Sequence, residues 1–266
     1  MATPETLPLL DDAYARTVRE VRARVTEFVV SRFGPAAIGD AGLSAFLTEI
    51  LPTVLAGRRQ IAALTDAYLA ERLSVSLART VLPQGVIDTA ALRGIDPAEE
   101  YTRPTVSTRT ALSQDATVEQ AVAAGVHRLV DLVATDMQLA KTHQAKAVLS
   151  RTRGVQGYRR VLNGSENCAL CLIASTQRYS VGSLMPIHPG CDCGIAEIVS
   201  DADMAGSDEL LERVHDSIQA QLGISNRDGR TDLDYKELLV VQEHGEIGPI
   251  LTLERQNFTG PADLPR

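Results

Sequence analysis

The feature that most constrains this chain is a cluster of metal-ligand residues within positions 165 to 199. It contains all four cysteines of the sequence, as a C-x2-C pair followed after nineteen residues by a C-x-C pair, with a histidine three residues before the second pair. Thiolates and imidazole are the preferred ligands of tetrahedral zinc, and this spacing is typical of a zinc site. The five candidate ligands are Cys168, Cys171, His188, Cys191 and Cys193.

The same four cysteines also allow two disulfides, or free and redox-active thiols. The first residues have neither a basic n-region nor an apolar h-region, so we expect synthesis in the cytoplasm, where disulfides are rare. Zinc is therefore favoured, as a structural ion, because the cluster offers enough ligands to close the site. Either all four cysteines bind, or His188 displaces Cys191 or Cys193.

The motif resembles one found in a known family. The string C-x2-C followed by L-M-P-I-H-P-G-C-D-C resembles the C-terminal signature of the MuF-like minor head proteins of tailed bacteriophages. Asp192 stands where those proteins often have an arginine, which removes a basic contact without removing a ligand. The tail from Glu237 onward, and the segment from Arg93 to Pro104, are similar to the versions in phages of actinobacteria. The resemblance thus covers most of the chain, and the cysteine motif is its specific part.

The resemblance implies a function in the virion. MuF-like proteins act in prohead assembly, associate with the portal and enter the head, and members are implicated in packaging or ejection of double-stranded DNA. By resemblance we expect a minor capsid protein of head morphogenesis, located in the phage head interior and present in the host cytoplasm during assembly. Its expected partners are the portal protein and other head proteins, with double-stranded DNA as a further candidate.

The fold class expected from the sequence is mainly α with a small α+β C-terminal module. Aromatic residues make up only 4% of the chain and tryptophan is absent, so the core must be aliphatic. Three- and four-residue apolar spacing predicts a helix from about Tyr14 to Gly34 and a long one from about residue 118 to 149. Helices are also expected over 43–55, where Pro52 is expected either to kink the helix or to start a new first turn, and over 58–77, followed by a connector with short helical pieces over 84–116.

The second half is predicted to be the small module. We place a helical domain at 1–153 and a MuF-like module at 154–266, with the zinc knuckle at 165–199, a strand over 195–199, a helix over 207–222 and a β-hairpin tail. The hairpin strands are expected at 238–242 and 247–253. A short helix should carry both Cys168 and Cys171, and two short strands should flank Gly182. His215 and His244 are interpreted as packed or turn residues.

Basic residues are segregated between Asp136 and Glu166, where no acidic residue occurs. This segregation predicts either a surface that faces a negatively charged partner or an ordinary solvated surface, since cations near a helix C-terminus also complement its dipole. The six candidates for partner binding are Lys141, Lys146, Arg151, Arg153, Arg159 and Arg160.

The alternative function is a head-maturation protease that processes the capsid or scaffold protein. A serine protease needs a serine beside a histidine base, and His127, His143 and His215 are available, but no serine is placed next to them by the sequence. The chain has no phosphate-binding glycine loop, no G-x-S-x-G and no H-E-x-x-H. We therefore expect a structural protein rather than an enzyme. No apolar run reaches the ~20 residues of a membrane span, and a net charge of −8 disfavours a free DNA-binding factor.

Overall fold

The computed structural model describes residues 4–162, 169–183, 193–200, 239–244 and 248–253, together with the single residues 203, 216 and 219. The helices are α1 Leu7–Arg32, α2 Asp40–Ser76, α3 Pro97–Glu100, α4 Arg103–Ser113, α5 Val118–Arg151 and α6 Ala169–Ser175. The strands are β1 Gly157–Val161, β2 Gly194–Ile198, β3 Leu239–His244 and β4 Gly248–Leu253. Short 3-10 turns occupy Pro4–Thr6, Pro35–Ile38 and Val181–Ser183. The protein is thus mainly helical with small antiparallel sheets, as predicted.

The three long helices α1, α2 and α5 pack around one aliphatic core. Each contributes a stripe at helical spacing, because residues three and four apart lie on the same face of a helix. The stripe of α1 is Val18, Val21, Val25 and Val29; that of α2 is Phe46, Ile50, Val54 and Ile61; and that of α5 includes Leu129, Leu132, Val133 and Met137. The expectation of an aliphatic helical core is therefore confirmed.

Helix α5 begins with a capping box. The Thr117 hydroxyl accepts from the backbone N–H of Gln120 at 3.2 Å, and the Gln120 side chain accepts from the backbone N–H of Thr117 at 3.0 Å. Two of the N–H groups that a helix start leaves without partners are satisfied in this way. The sequence placed the start of this helix correctly.

The prediction of two separate helices, over 43–55 and 58–77, is wrong. Helix α2 runs unbroken through Pro52 to Ser76. A proline inside a helix removes one backbone hydrogen bond, here the bond to the carbonyl of Thr48. Pro52 and Thr48 are both exposed, so water can take the place of the missing donor and the helix continues.

The connector between α2 and α4 is irregular up to α3 and is held by polar side chains. The Asp66 carboxylate accepts from the backbone N–H groups of Gln84 and Gly85, at 3.0 and 2.8 Å. The Gln144 side chain of α5 accepts from Ile87 and donates to the Gly85 carbonyl. Gly85 has φ +95°, a conformation that glycine adopts without strain. The predicted connector with short helical pieces is confirmed.

Two separate two-stranded sheets occur in the described part of the chain. Strands β1 and β2 pair antiparallel, with Gly157 opposite Ile198 and Val161 opposite Gly194. Strands β3 and β4 pair antiparallel, which confirms the predicted hairpin. The strand expected at 178–180 is reduced to one bridge between Tyr179 and Tyr158. The strand expected at 184–185 and most of the helix expected at 207–222 lie outside the described residues.

None of the helices that the structure describes is both long enough and apolar enough to cross a membrane.

Candidate functional site: the cysteine module and its basic surroundings

The two described cysteines lie next to the β1–β2 sheet. Cys193 directly precedes β2, Cys171 lies in α6, and both are buried. The other three predicted ligands, Cys168, His188 and Cys191, lie outside the described residues. Within the described ranges no group of three or more metal-ligand side chains occurs. Because three of the five ligands fall outside those ranges, the zinc site stays a prediction.

Tyr179 lies in the same part of the structure as the two described cysteines. Burial raises the pKa of its hydroxyl, and nearby Arg160, Tyr158, Cys193 and Cys171 also act on it electrostatically. The hydroxyl donates to the carbonyl of Ala174 at 3.0 Å, in the helix that carries Cys171. Two described thiols are fewer than the three or four protein ligands of a zinc ion, so this part of the chain does not by itself form a metal site.

We call the β1–β2 sheet and α6, with Cys171 and Cys193, the cysteine module. Two buried cations attach it to the helical domain. Lys141 of α5 donates its Nζ to the carbonyl of Cys193 at 2.9 Å. Arg72 of α2 donates its Nε to Glu197 of β2 at 2.9 Å, and Ser76 donates to the other carboxylate oxygen. Glu197 is only 4% exposed. These bonds fix β2 against the long helices.

Apolar side chains also pack between the long helices and the β1–β2 sheet. One cluster combines Tyr68, Leu69 and Leu73 of α2 with Val148 and Leu149 of α5, and it also takes in Tyr158 of β1 and Ile195 of β2. Among the described residues, the β1–β2 sheet thus shares a core with the helical domain.

The basic segment is divided by the fold into two groups. Lys141 and Arg160 are 4% and 0% exposed, so the prediction that they face a partner is wrong. Arg159 is half-buried, whereas Lys146, Arg151 and Arg153 are exposed. The physical reason is periodicity: neighbouring residues of a strand point to opposite faces, and a five-residue step on a helix changes the face.

The fold also adds a cation that the sequence did not group with these residues. Arg79, from the end of α2, donates Nη2 to the carbonyl of Arg153 at 2.8 Å. Arg79, Arg151 and Arg153 are all exposed, and we call them the junction surface; Lys146 is exposed as well, but it lies five residues before Arg151 on α5 and therefore on a different face of that helix. No salt bridge to any of the three occurs among the described residues.

A second cluster of charges, which sequence reasoning missed, is buried in the helical domain. Its side chains are Arg58, Arg93, Glu100, Tyr101 and Asp136. Arg58 donates to Asp136 at 2.9 Å and to Glu100 at 2.7 Å. Arg93 contacts Glu100 at 2.6 Å and Asp136 at 3.0 Å, and the Tyr101 hydroxyl donates to Asp136 at 2.7 Å. Two cations and two carboxylates therefore neutralise one another in the core.

The two carboxyl groups of this cluster titrate differently. Burial, together with the neighbouring Asp136 carboxylate, raises the pKa of Glu100 to about 7. Burial also acts to raise the pKa of Asp136, but Arg93 and Arg58 outweigh it, so that this pKa lies below its ordinary value. Asp136 is thus the permanently charged member of the pair.

We expect Glu100 to give the protein a pH dependence near neutrality. Its pKa is higher in the folded than in the unfolded chain, so folding takes up a proton between about pH 4.5 and 7 and the free energy of unfolding falls as pH rises there. Glu100→Gln should flatten this slope, by up to about 1.4 kcal/mol per pH unit. Urea unfolding from pH 5 to 8 measures it. Glu99→Gln, at the exposed neighbouring position, should keep the wild-type slope, and an unchanged slope in Glu100→Gln would contradict the assignment.

Two of the three histidines considered for a protease lie in the described part. His127 and His143 are both exposed on α5. Among the described residues neither receives a hydrogen bond from a serine hydroxyl, and His215 lies outside those residues. No serine–histidine pair is therefore found in the part of the chain that can be described.

Comparison with known proteins adds no identification. No family model, curated protein or solved structure matches this chain.

Proposed function

We propose that this chain is a minor capsid protein of a tailed bacteriophage that acts in head morphogenesis and associates with the portal. The single observation that carries the proposal is the cysteine-histidine motif, from Cys168 to Cys193. Its resemblance to the MuF-like signature supplies the function. The fold supports it in one respect: Arg72 and Lys141 fix β2 against the helical domain.

The finer part of the fold proposal is a structural zinc knuckle at 165–199. Four of the five ligands Cys168, Cys171, His188, Cys191 and Cys193 hold the ion. When bound, zinc supplies a cross-link between distant parts of a short segment, and such ions contribute on the order of 10 kcal/mol to small modules. The burial of Cys171 and Cys193 beside one tyrosine supports this assignment.

The junction surface is the proposed contact with the portal. Its three exposed cations, which have no ion pair among the described residues, present a positive field to a partner with acidic side chains, and such fields steer association. Two of its residues, Arg151 and Arg153, lie between α5 and β1 in the sequence or at the end of α5, and Arg79 follows α2. Double-stranded DNA in the filled head is the second candidate for the same surface, because phosphates are anions as well.

The test replaces Arg79, Arg151 and Arg153 together with glutamine. We expect a defined complex with purified portal that weakens at least tenfold in the variant, since each rim charge contributes up to about 1 kcal/mol. Binding is measured by titration at several salt concentrations. A matched control is Arg16, Arg19 and Arg24 changed to glutamine, which removes the same charge from the exposed face of α1 and should leave binding unchanged.

The same experiment separates the two partners. If DNA is the partner, duplex binding should show a log–log salt slope that falls by about one for each phosphate that the variant no longer binds. Unchanged binding of the variant to both portal and DNA, with the fold intact, would contradict the partner role of the junction surface. Incubation with the capsid subunit tests the enzyme alternative: site-specific cleavage that one serine or histidine substitution abolishes would favour a protease.

A further inference from the structure

Two large apolar side chains of the connector are exposed to solvent beside the junction surface. Leu82 is 72% exposed and Val86 is 42% exposed, and Pro83 between them is exposed as well. Val81 and Ile87, which flank this stretch, instead pack against buried apolar clusters. We call Leu82, Pro83 and Val86 the apolar strip. Single exposed apolar residues are ordinary on protein surfaces, so the surroundings of the strip decide what it can do.

The apolar strip lies next to the arginines of the junction surface. Gln84, within the strip, donates its side-chain amide to the Thr152 hydroxyl at 2.8 Å. The residues on either side of Thr152 are the two arginines of the junction surface near the end of α5. The third arginine, Arg79, precedes Leu82 by three positions, which an extended chain spans in at most about 11 Å. The strip and the three cations therefore share one region of the surface.

The backbone of the apolar strip is held in place by the helices beneath it. The Ser74 hydroxyl accepts from the backbone N–H of Val81 at 2.9 Å, and the Gln144 side chain accepts from that of Ile87 at 2.9 Å. The Asp66 carboxylate accepts from two further N–H groups between these points. A surface that is already ordered loses little conformational entropy on binding, so more of the contact energy contributes to affinity.

We propose that the apolar strip and the junction surface form one docking site for a protein segment that carries both apolar side chains and Asp or Glu carboxylates. The inference rests on the proposed function and specifies the chemistry of the portal contact. The three arginines have no ion pair among the described residues, so their charge is available to carboxylates. The backbone of duplex DNA offers anions but little apolar surface to cover a leucine, so the strip favours a protein over DNA as the partner.

The two parts of the docking site contribute to binding in different ways. The arginines speed association through a field that salt screens. The apolar strip contributes affinity that does not depend on charge, and its burial gives a negative heat-capacity change on binding. An apolar centre beside exposed arginines is also the usual composition of a protein–protein interface. The two contributions can therefore be measured separately on the same complex.

The test variant, Leu82→Gln with Val86→Gln, removes the apolar strip and keeps every charge. The matched control is Val106→Gln with Val118→Gln, whose side chains are 54% and 53% exposed on α4 and at the start of α5. Along α5, Val118 is about 50 Å from Arg151. All four replaced side chains are exposed, so both variants should unfold as the wild type does, which thermal unfolding checks.

Binding to purified portal is measured by titration calorimetry at several temperatures and two salt concentrations, with duplex DNA as a parallel probe. We expect the strip variant to bind portal at least about tenfold more weakly than the wild type and the control, with a less negative heat-capacity change. This loss should be equal at low and high salt. Replacement of the three arginines with glutamine should instead weaken binding mainly at low salt.

The outcomes separate this inference from the proposed function. Portal affinity of the strip variant equal to that of the control would overturn the inference, while the complex itself would still support the proposed function. Duplex DNA binding that the arginine variant loses and the strip variant keeps, without any portal complex, would identify DNA as the partner and overturn the protein docking site. A wild-type chain that binds neither portal nor DNA would overturn both the docking site and the proposed association with the portal.

Discussion

Asp136→Asn should lower the free energy of unfolding by about 3–5 kcal/mol, because it leaves two buried guanidinium groups with one partly protonated carboxyl between them. The Asp136 side chain is fully buried and accepts from Arg58, Arg93 and Tyr101. An amide keeps the shape but removes the negative charge and one acceptor. Urea or thermal unfolding followed by circular dichroism measures the loss.

A control on the same helix is Asp131→Asn. Asp131 is half-buried and makes no described ion pair with an arginine of the core, so its replacement should change the unfolding free energy by about 0.5 kcal/mol or less. Equal losses in the two variants would show that the charge cluster around Asp136 does not hold the helical domain together.

Glu197→Gln is expected to loosen the β1–β2 sheet from the helices, at a cost of about 3 kcal/mol. The pair of Arg72 and Glu197 is buried, with side chains 9% and 2% exposed, and Ser76 also donates to the carboxylate. Arg72 retains Asp11 as a second partner at 2.6 Å, which places the loss at the lower end of the range for a broken buried pair. Amide hydrogen exchange should quicken in β1 and β2 more than in the buried turns of α5.

The control for this prediction is Glu49→Gln. Glu49 pairs with Arg32 at the surface, where both side chains are about half exposed. Such pairs contribute less than about 1 kcal/mol, so the variant should unfold almost as the wild type does. If Glu197→Gln behaved like Glu49→Gln, with no local change in exchange, the attachment of the sheet would have to depend on the apolar cluster alone.

The helices were the most predictable part of the fold, and the reason lies in their repeating patterns. The apolar stripe of α1 and the capping box of α5 are local signals that need no tertiary information. The continuity of α2 was missed, because whether water can satisfy the carbonyl before Pro52 depends on which face of the helix is exposed. Strand β1 was also missed, since two successive arginines conceal the alternation of a strand.

Less of the candidate site could be read from sequence. The cysteine spacing predicts a zinc module, which stays a prediction, but nothing in the spacing indicated that Arg160 and Lys141 would be buried. The cluster around Asp136 joins residues as much as 78 positions apart, and such pairings exist only once the helices have packed. Arg79 was not grouped with the basic segment for the same reason.

The attachment of β2 has a consequence for how the protein is made. Arg72 and Lys141 are synthesised well before the residues that they bind, Glu197 and the carbonyl of Cys193. A nascent chain that ends near residue 153 contains Asp11, one partner of Arg72, but neither Glu197 nor the Cys193 carbonyl, and its apolar face lacks Tyr158 and Ile195. We therefore expect the contacts of Arg72 with Glu197, of Lys141 with the Cys193 carbonyl, and of the helices with Tyr158 and Ile195 to form only once β1 and β2 have been synthesised.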